Sequence, residues 1–114
     1  KEDIQEVIIG SAVTTIGDRA FLQSTLETIT IPNSVTRINQ YAFNQCQSLQ
    51  TIIIPDSVTT IDRASFGKCY NLQSVTLSNN LTRIKNYLFQ NSLVKLINYQ
   101  LYRNCVLNRV LITY

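Results

Sequence analysis

The chain has 114 residues, 45% of them hydrophobic and 15% charged, a composition that is ordinary for a folded protein and allows one domain. No apolar run is long enough to span a bilayer, and no targeting segment is visible. Histidine is absent, and neither a glycine-rich phosphate loop nor a pair of acids placed for catalysis occurs, so we expect no enzyme activity, no cofactor and no metal site.

The first predicted element is a coil over residues 4–25 that opens with a strand near residues 6–9. Val7 and Ile9 would face the interior together, because side chains along a strand alternate with period two. The same apolar pattern returns every 22 or 23 residues. A fixed period of this size is typical of a solenoid, in which each coil buries its apolar edge only against its neighbours.

Two further coils, at residues 26–48 and 49–71, repeat the pattern most cleanly. Each is predicted to open with a strand, near residues 28–31 and 51–54, where β-branched side chains favour the pleated conformation. Pro55 would end the second strand, because proline has no amide hydrogen for the ladder. The strands should therefore lie side by side in one parallel sheet.

A short segment at residues 64–69 follows in the third coil. It is too short for an ordinary helix, so we predict a single α or 3₁₀ turn that carries Phe66 and Cys69 inward. A phenylalanine recurs at this position of each coil, which predicts a buried ladder of Phe21, Phe43, Phe66 and Phe89.

Two stretches share one spelling, IPNSVTRI at residues 31–38 and IPDSVTTI at residues 54–61. Each is followed by a phenylalanine and, three residues later, by a cysteine. This motif resembles the BspA-type leucine-rich repeat, a 23-residue variety found in surface proteins of bacteria and anaerobic protists. The resemblance implies a leucine-rich-repeat solenoid of the α/β class, dominated by strands: a short right-handed coil with a parallel concave sheet.

The fourth coil is predicted at residues 72–92, with a strand near residues 74–77. It contains Asn80-Leu81-Thr82, which is a sequon for N-glycosylation. Asn80 falls at a predicted tight turn of the coil, and this position disfavours occupancy.

After Phe89 the period breaks, and residues 93–114 are interpreted as an irregular terminal unit. Leu93 and Leu96 match the second half of a coil, so the strand half is expected to be missing. A last strand is predicted near residues 109–112. A cap explains the irregularity, because a terminal coil lacks a neighbour on one side, and an insertion that serves a function is the alternative.

Cys46 and Cys69 occupy the same position in successive coils, where the first coil has Ser24. The exchange of cysteine for serine indicates a small, buried, weakly polar slot, so we expect reduced thiols. A disulfide between neighbouring coils is the alternative, because the spacing of roughly 5 Å between stacked strands lies within the range that the bond allows.

The charges are distributed unevenly along the chain. Residues 1–62 hold three basic and seven acidic side chains, whereas residues 63–114 hold seven basic and no acidic ones. Variation in a solvated surface explains this difference. The alternatives are a basic end that meets an acidic partner and a head-to-tail contact with another copy of the chain. This candidate basic end comprises Arg63, Lys68, Arg83, Lys85, Lys95, Arg103 and Arg109.

The outward side chains of the predicted strands form two rows on the concave sheet. Threonine is a good strand residue and such rows need no ligand, but they also suit a shallow, mildly apolar protein-binding face. The first row is Glu6, Thr28, Thr51 and Ser74, and the second is Ile8, Thr30, Ile53 and Thr76, with Leu111 if the last strand forms. A mixed row outside this sheet consists of Thr15, Arg37, Thr60, Arg83 and Lys95.

The resemblance implies a non-enzymatic protein–protein interaction module, part of a surface or secreted adhesin, with an unidentified protein as its ligand. A polyanion-binding module that uses the basic half and a structural spacer in a longer array are the alternatives. The chain begins with Lys1, which indicates a piece of a longer protein. Open strand edges at both ends predict self-association, and neither specific nucleic-acid binding nor a membrane span is expected.

Overall fold

The computed structural model describes residues 7–84 and 95–97 of the chain. These residues form strands and turns, and they contain no helix that could cross a membrane. The strands are short, because the chain turns after crossing each side of a coil. In chain order they are β1 (Thr15–Ile16), β2 (Arg37–Ile38), β3 (Thr51–Ile53), β4 (Thr60–Ile61), β5 (Ser74–Thr76), β6 (Arg83–Ile84) and β7 (Lys95–Ile97).

The strands form two parallel sheets on different sides of the stacked coils. Sheet 1 contains β3, β5 and β7, and an isolated parallel bridge between Ile8 and Thr30 lies at the same repeat position. Sheet 2 contains β1, β2, β4 and β6 in that order. Ile38 pairs with Ile61, 23 residues further along, so one strand spacing corresponds to one repeat, as in a leucine-rich-repeat solenoid.

Sheet 1 confirms the strands that were predicted near residues 51–54 and 74–77. The strands predicted in the first two coils are reduced to the bridge between Ile8 and Thr30. The strand predicted near residues 109–112 lies outside the described residues. Sheet 2 was not predicted, because its residues were interpreted as a connection that only returns apolar groups to the interior.

The third side of each coil is a run of turns whose backbone also pairs with the next coil. The N–H of Phe21 donates to the carbonyl oxygen of Ala42 at 2.7 Å, and the N–H of Phe43 donates to that of Ser65 at 2.8 Å. Within one run, the N–H of Cys46 donates to the carbonyl oxygen of Phe43, three residues before it. All three sides of the coil are therefore held by main-chain hydrogen bonds.

The single turn predicted at residues 64–69 is present, since the N–H of Gly67 donates to the carbonyl oxygen of Ala64, three residues before it, at 3.1 Å. It does not extend into a helix, because left-handed residues flank it. The residues two before and two after each phenylalanine have φ between 52° and 61°: Arg19, Gln23, Tyr41, Gln45, Ala64 and Lys68. A left-handed residue interrupts the right-handed backbone conformation that a helix requires. The amide of the phenylalanine then points toward the next coil instead of entering a helical ladder. Phe66 is buried, as predicted.

The core consists of inward isoleucine, valine and leucine side chains around a stack of phenylalanine rings. The ring centroids of Phe21 and Phe43 lie 5.3 Å apart with an interplanar angle of 10°. Those of Phe43 and Phe66 lie 5.2 Å apart with an angle of 3°. The predicted ladder is thus confirmed for these three residues, although Phe21 is only half-buried, and Phe89 lies outside the described residues.

Strand β7 shows that the interpretation of Leu96 was wrong. Leu96 pairs with Val75 of β5, so its segment is the strand half of a coil rather than the second half of one. An apolar spacing of three residues occurs in both halves of the repeat, and only the hydrogen-bond register distinguishes them. Lys95 consequently belongs to sheet 1 and not to the row outside it.

Threonine hydroxyl groups add a second ladder beside sheet 2. Thr36 Oγ1 donates to the carbonyl oxygen of Thr14 at 3.2 Å, and Thr59 Oγ1 donates to that of Thr36 at 3.3 Å. Thr82 Oγ1 continues the ladder to Thr59 at 3.1 Å. The N–H groups of the same three residues donate to the same oxygens. The carbonyls of Thr14 and Thr36 therefore each accept two hydrogen bonds, and that of Thr59 accepts a third from the N–H of Arg83. This explains the threonine at this position of the repeat.

Candidate binding face

The outer side of sheet 1 presents two exposed isoleucines in one row. Ile52 is buried, and its neighbours Thr51 and Ile53 point the other way, as the alternation along a strand requires. Ile53 is 68% exposed and Ile8 is 85% exposed. Ile8 pairs with Thr30, which lies one period before Ile53, so two strand spacings, or about 10 Å, separate the isoleucines.

The structure brings the other described candidates onto the same face. Thr51 pairs with Ser74, and Ile53 pairs with Thr76, in the register of β3 and β5. Glu6 and Leu111 lie outside the described residues. The residues of this surface, hereafter the binding face, are Ile8, Thr28, Thr30, Thr51, Ile53, Ser74 and Thr76.

A groove of about 520 Å³ lies over the binding face and is bounded on one side by Asn33, Asp56 and Asn79. Asp56 Oδ1 accepts a hydrogen bond from the N–H of Asn79 at 2.8 Å, and Asn80 Nδ2 donates to the carbonyl oxygen of Asp56 at 2.8 Å. These bonds hold the polar rim of the groove in place. The rim was not predicted from the sequence, although the third position of the IPxSV motif is asparagine or aspartate in both copies.

The binding face has a lining that is suited to contact with a partner. Its groove is lined by methyl groups, hydroxyl groups, amides and a single carboxylate, that of Asp56. Among the described residues, no group of three or more His, Cys, Asp and Glu side chains could hold a metal ion. A partner could bury apolar area here and exchange a few hydrogen bonds with the hydroxyl groups.

The mixed row predicted outside the concave sheet is the outer side of sheet 2. Arg37 pairs with Thr60, and Thr60 pairs with Arg83. Arg37 and Arg83 are both exposed. Arg37 belongs to residues 1–62, where acidic side chains predominate, and Arg83 belongs to the basic residues 63–114, so this row crosses the charge boundary. On the adjoining run of turns, the Arg19 guanidinium lies 4.9 Å from the ring centroid of Tyr41, which is a cation–π contact.

The candidate basic end is described only in part. Arg63 and Arg83 are exposed, and Lys68 is half-buried. Arg63 and Lys68 lie on the run of turns of one coil, whereas Arg83 lies in β6 and Lys95 in β7, so these cations are on different sides of the solenoid. Lys85, Arg103 and Arg109 lie outside the described residues.

Cys46 and Cys69 are buried free thiols, as predicted. The Cys46 thiol donates to the carbonyl oxygen of Phe21 at 3.0 Å, and the Cys69 thiol donates to that of Phe43 at 3.1 Å. Burial raises the pKa of Cys46 to about 11 and that of Cys69 to about 12. Both thiols are therefore protonated at neutral pH and serve packing rather than nucleophilic chemistry.

The asparagine of the sequon is exposed but already bonded. Asn80 Nδ2 donates to the carbonyl oxygen of Asp56, and the N–H of Asn80 donates to Ser78 Oγ at 3.0 Å. Leu81, the central residue of the sequon, is buried in the core. The prediction that the turn disfavours glycosylation remains a prediction.

Two solved structures share this fold. A leucine-rich repeat protein from Bacteroides ovatus ATCC 8483 has a TM-score of 0.70 and 38% identity, over 75% of this chain and 22% of that protein. A leucine-rich repeat protein from Bacteroides capillosus ATCC 29799 has a TM-score of 0.68 and 27% identity, over 75% of this chain and 64% of that protein. The chain thus spans less than a quarter of the first relative and less than two thirds of the second.

Comparison with curated proteins gives no significant match. The family model for the BspA type leucine rich repeat region matches residues 1–110 in six copies. This match covers nearly the whole chain and agrees with the stacked parallel strands and the repeat period. The chain therefore belongs to the BspA-type leucine-rich repeat family.

Proposed function

We propose that this chain is a non-enzymatic protein-interaction module of a surface or secreted adhesin, and that its ligand docks on the binding face. The observation that carries the proposal is the exposure of Ile8 and Ile53 in one row. Large apolar side chains that remain exposed on a sheet held by main-chain hydrogen bonds form a ready contact surface. Covering the exposed part of Ile53 would contribute on the order of 1–2 kcal/mol to binding.

The affinity through this segment alone is expected to be low. Of the described residues of the binding face, none is an aromatic residue or an arginine, the residue types that anchor most strong interfaces. We therefore expect a dissociation constant in the micromolar range or weaker, which suits a repeat protein that gains affinity by engaging several coils at once.

A binding screen with matched variants tests the proposal. The full chain is immobilised and exposed to a panel of purified secreted and cell-surface proteins, and each hit is measured again with Ile53→Lys. We expect at least a tenfold loss of affinity. Leu22→Lys is the control, because Leu22 is also an exposed apolar residue but lies on the run of turns. Hits that survive Ile53→Lys would refute the binding face as the docking site.

Salt dependence separates the alternatives. Apolar contact persists when ionic strength rises, whereas binding of a polyanion through the arginines and lysines weakens steeply. A panel that yields neither kind of binding would favour a structural spacer. Self-association through the ends of the solenoid also stays a prediction, and light scattering at low and high salt tests it.

A further inference from the structure

A second groove lies away from the binding face, where each run of turns leads into the next coil. Its volume is about 250 Å³, and it is lined by residues of two successive coils. None of its lining residues is charged and none is a large apolar residue. The residues of this amide groove are Gln23, Ser24, Thr25, Gln45, Gln47 and Ser48.

The amide groove has unused hydrogen-bonding capacity. Gln23 Nε2 donates to Gln45 Oε1 at 3.0 Å, which aligns the two carboxamides and leaves the Gln23 oxygen and the Gln45 nitrogen available. Among the hydrogen bonds of the described residues, none involves the side chains of Thr25, Gln47 or Ser48. Donors and acceptors that share one small concavity can converge on a single polar ligand.

An exposed tyrosine lies one coil further along the stack from the amide groove. Tyr70 follows Gln47 by one period of 23 residues, and it is 55% exposed. Asn71 Nδ2 donates to the carbonyl oxygen of Gln47 at 2.6 Å, so the two coils are in direct contact here. The backbone of Tyr70 is therefore about 5 Å further along the stack, the distance between neighbouring parallel strands.

We propose that the amide groove and Tyr70 bind one sugar ring of a neutral glycan. A carboxamide presents a donor and an acceptor side by side, which matches two adjacent hydroxyl groups of a sugar. The electron-rich face of an exposed aromatic ring attracts the C–H bonds of a sugar ring. None of the residues that line the groove is charged, and the neighbouring cation, Lys68, stands one coil further along. The lining itself therefore suits a neutral sugar better than an acidic one. This site is additional to the proposed protein-binding face.

Titration of the ¹⁵N-labelled full chain with neutral tetrasaccharides tests the site. Maltotetraose, cellotetraose, mannotetraose and chitotetraose are added in turn while the side-chain amide signals of Gln45 and Gln47 are followed by NMR. We expect at least one sugar to shift these signals saturably in the millimolar range. If none of the four sugars does so, the proposal is overturned.

Variants establish where the sugar binds. Gln47→Ala and Tyr70→Ala should each weaken binding of the active sugar about tenfold, which corresponds to ~1.4 kcal/mol. Gln73→Ala, which removes an exposed amide that does not line the amide groove, should leave the affinity unchanged. Equal affinity in Gln47→Ala, or tighter binding of a heparin tetrasaccharide than of the neutral sugars, would contradict the assignment. Ile53→Lys should leave the affinity for the sugar unchanged, because Ile53 lies on the binding face and not in the amide groove. The sugar-binding and protein-binding proposals can therefore fail independently.

Discussion

The side chain of Asn44 fills the space that Gly67 leaves open in the next coil. Asn44 Nδ2 donates to the carbonyl oxygen of Ala64 at 3.0 Å. A Cβ atom placed on Gly67 would lie only 2.8 Å from this Nδ2 atom. The two residues occupy the same repeat position, 23 residues apart, so neighbouring coils complement each other in size at this point.

We predict that Gly67→Ala lowers the free energy of unfolding by about 1–3 kcal/mol, because the added methyl group displaces the buried Asn44 amide. Urea denaturation measures the change. Asn44→Ala alone should cost about 1 kcal/mol through loss of its hydrogen bond to Ala64. In the double variant the methyl group meets no amide, so the two costs should not add. Additive costs would show that the close contact is not the cause.

We predict that Phe66→Ala lowers the free energy of unfolding by about 3–5 kcal/mol, because Phe66 is fully buried and its ring stacks on that of Phe43. Phe66→Leu keeps most of the volume and should cost less, at about 1.5 kcal/mol. Phe21→Ala is the matched control in the same ladder, since Phe21 is half-buried and its loss should be milder. Equal costs at residues 21 and 66 in urea denaturation would contradict this order.

We predict that Cys46 and Cys69 react slowly with a thiol reagent in native buffer and rapidly in denaturant. Only the thiolate reacts, and burial holds both pKa values well above the ordinary value of 9.0. A Cys105→Ser background restricts the signal to these two thiols. Labelling at the rate of a free thiol peptide in native buffer would refute their burial.

The same pKa values predict a loss of stability at alkaline pH. A raised pKa in the folded state means that the folded protein binds the thiol protons more tightly than the unfolded chain does. The resulting stabilisation is complete below about pH 9 and is lost as the pH rises toward about 11 to 12. Urea denaturation between pH 8 and 11 should show this decline, and it should be smaller in the Cys46→Ala, Cys69→Ala double variant. An unchanged decline in that variant would assign the effect to other groups.

We predict that Lys68→Gly stabilises the protein by about 0.5–1 kcal/mol, because Lys68 has a φ of 57° that glycine adopts without steric cost. Lys68→Val should destabilise it, since a β-branched side chain clashes in the left-handed region. Lys68→Ala separates the loss of the lysine side chain from the backbone effect. If the glycine and valine variants unfold at the same urea concentration, φ at this position does not limit stability.

Some residues of the binding face could be predicted from the sequence and others could not. Alternation along the strands predicts that Thr51 and Ile53 lie on the outer side, and the structure confirms that both are exposed. The rim residue Asp56 was missed, because its role depends on the turn that brings Asn79 to within hydrogen-bonding distance. The amide groove was missed for the same reason: Gln23 and Gln45 meet only after two coils have stacked.

Apolar spacing by itself determined the period, the inward residues and the phenylalanine ladder, because burial of apolar area selects one register for stacked copies of the same pattern. It did not determine the backbone geometry between those residues. Leu96 fits either half of the repeat by spacing, and only its pairing with Val75 assigns it to sheet 1. Likewise, Tyr41 has no sequence feature that requires a φ of 58°. The tertiary structure decides both, since a buried main-chain N–H must find an acceptor, and here that acceptor lies in the next coil.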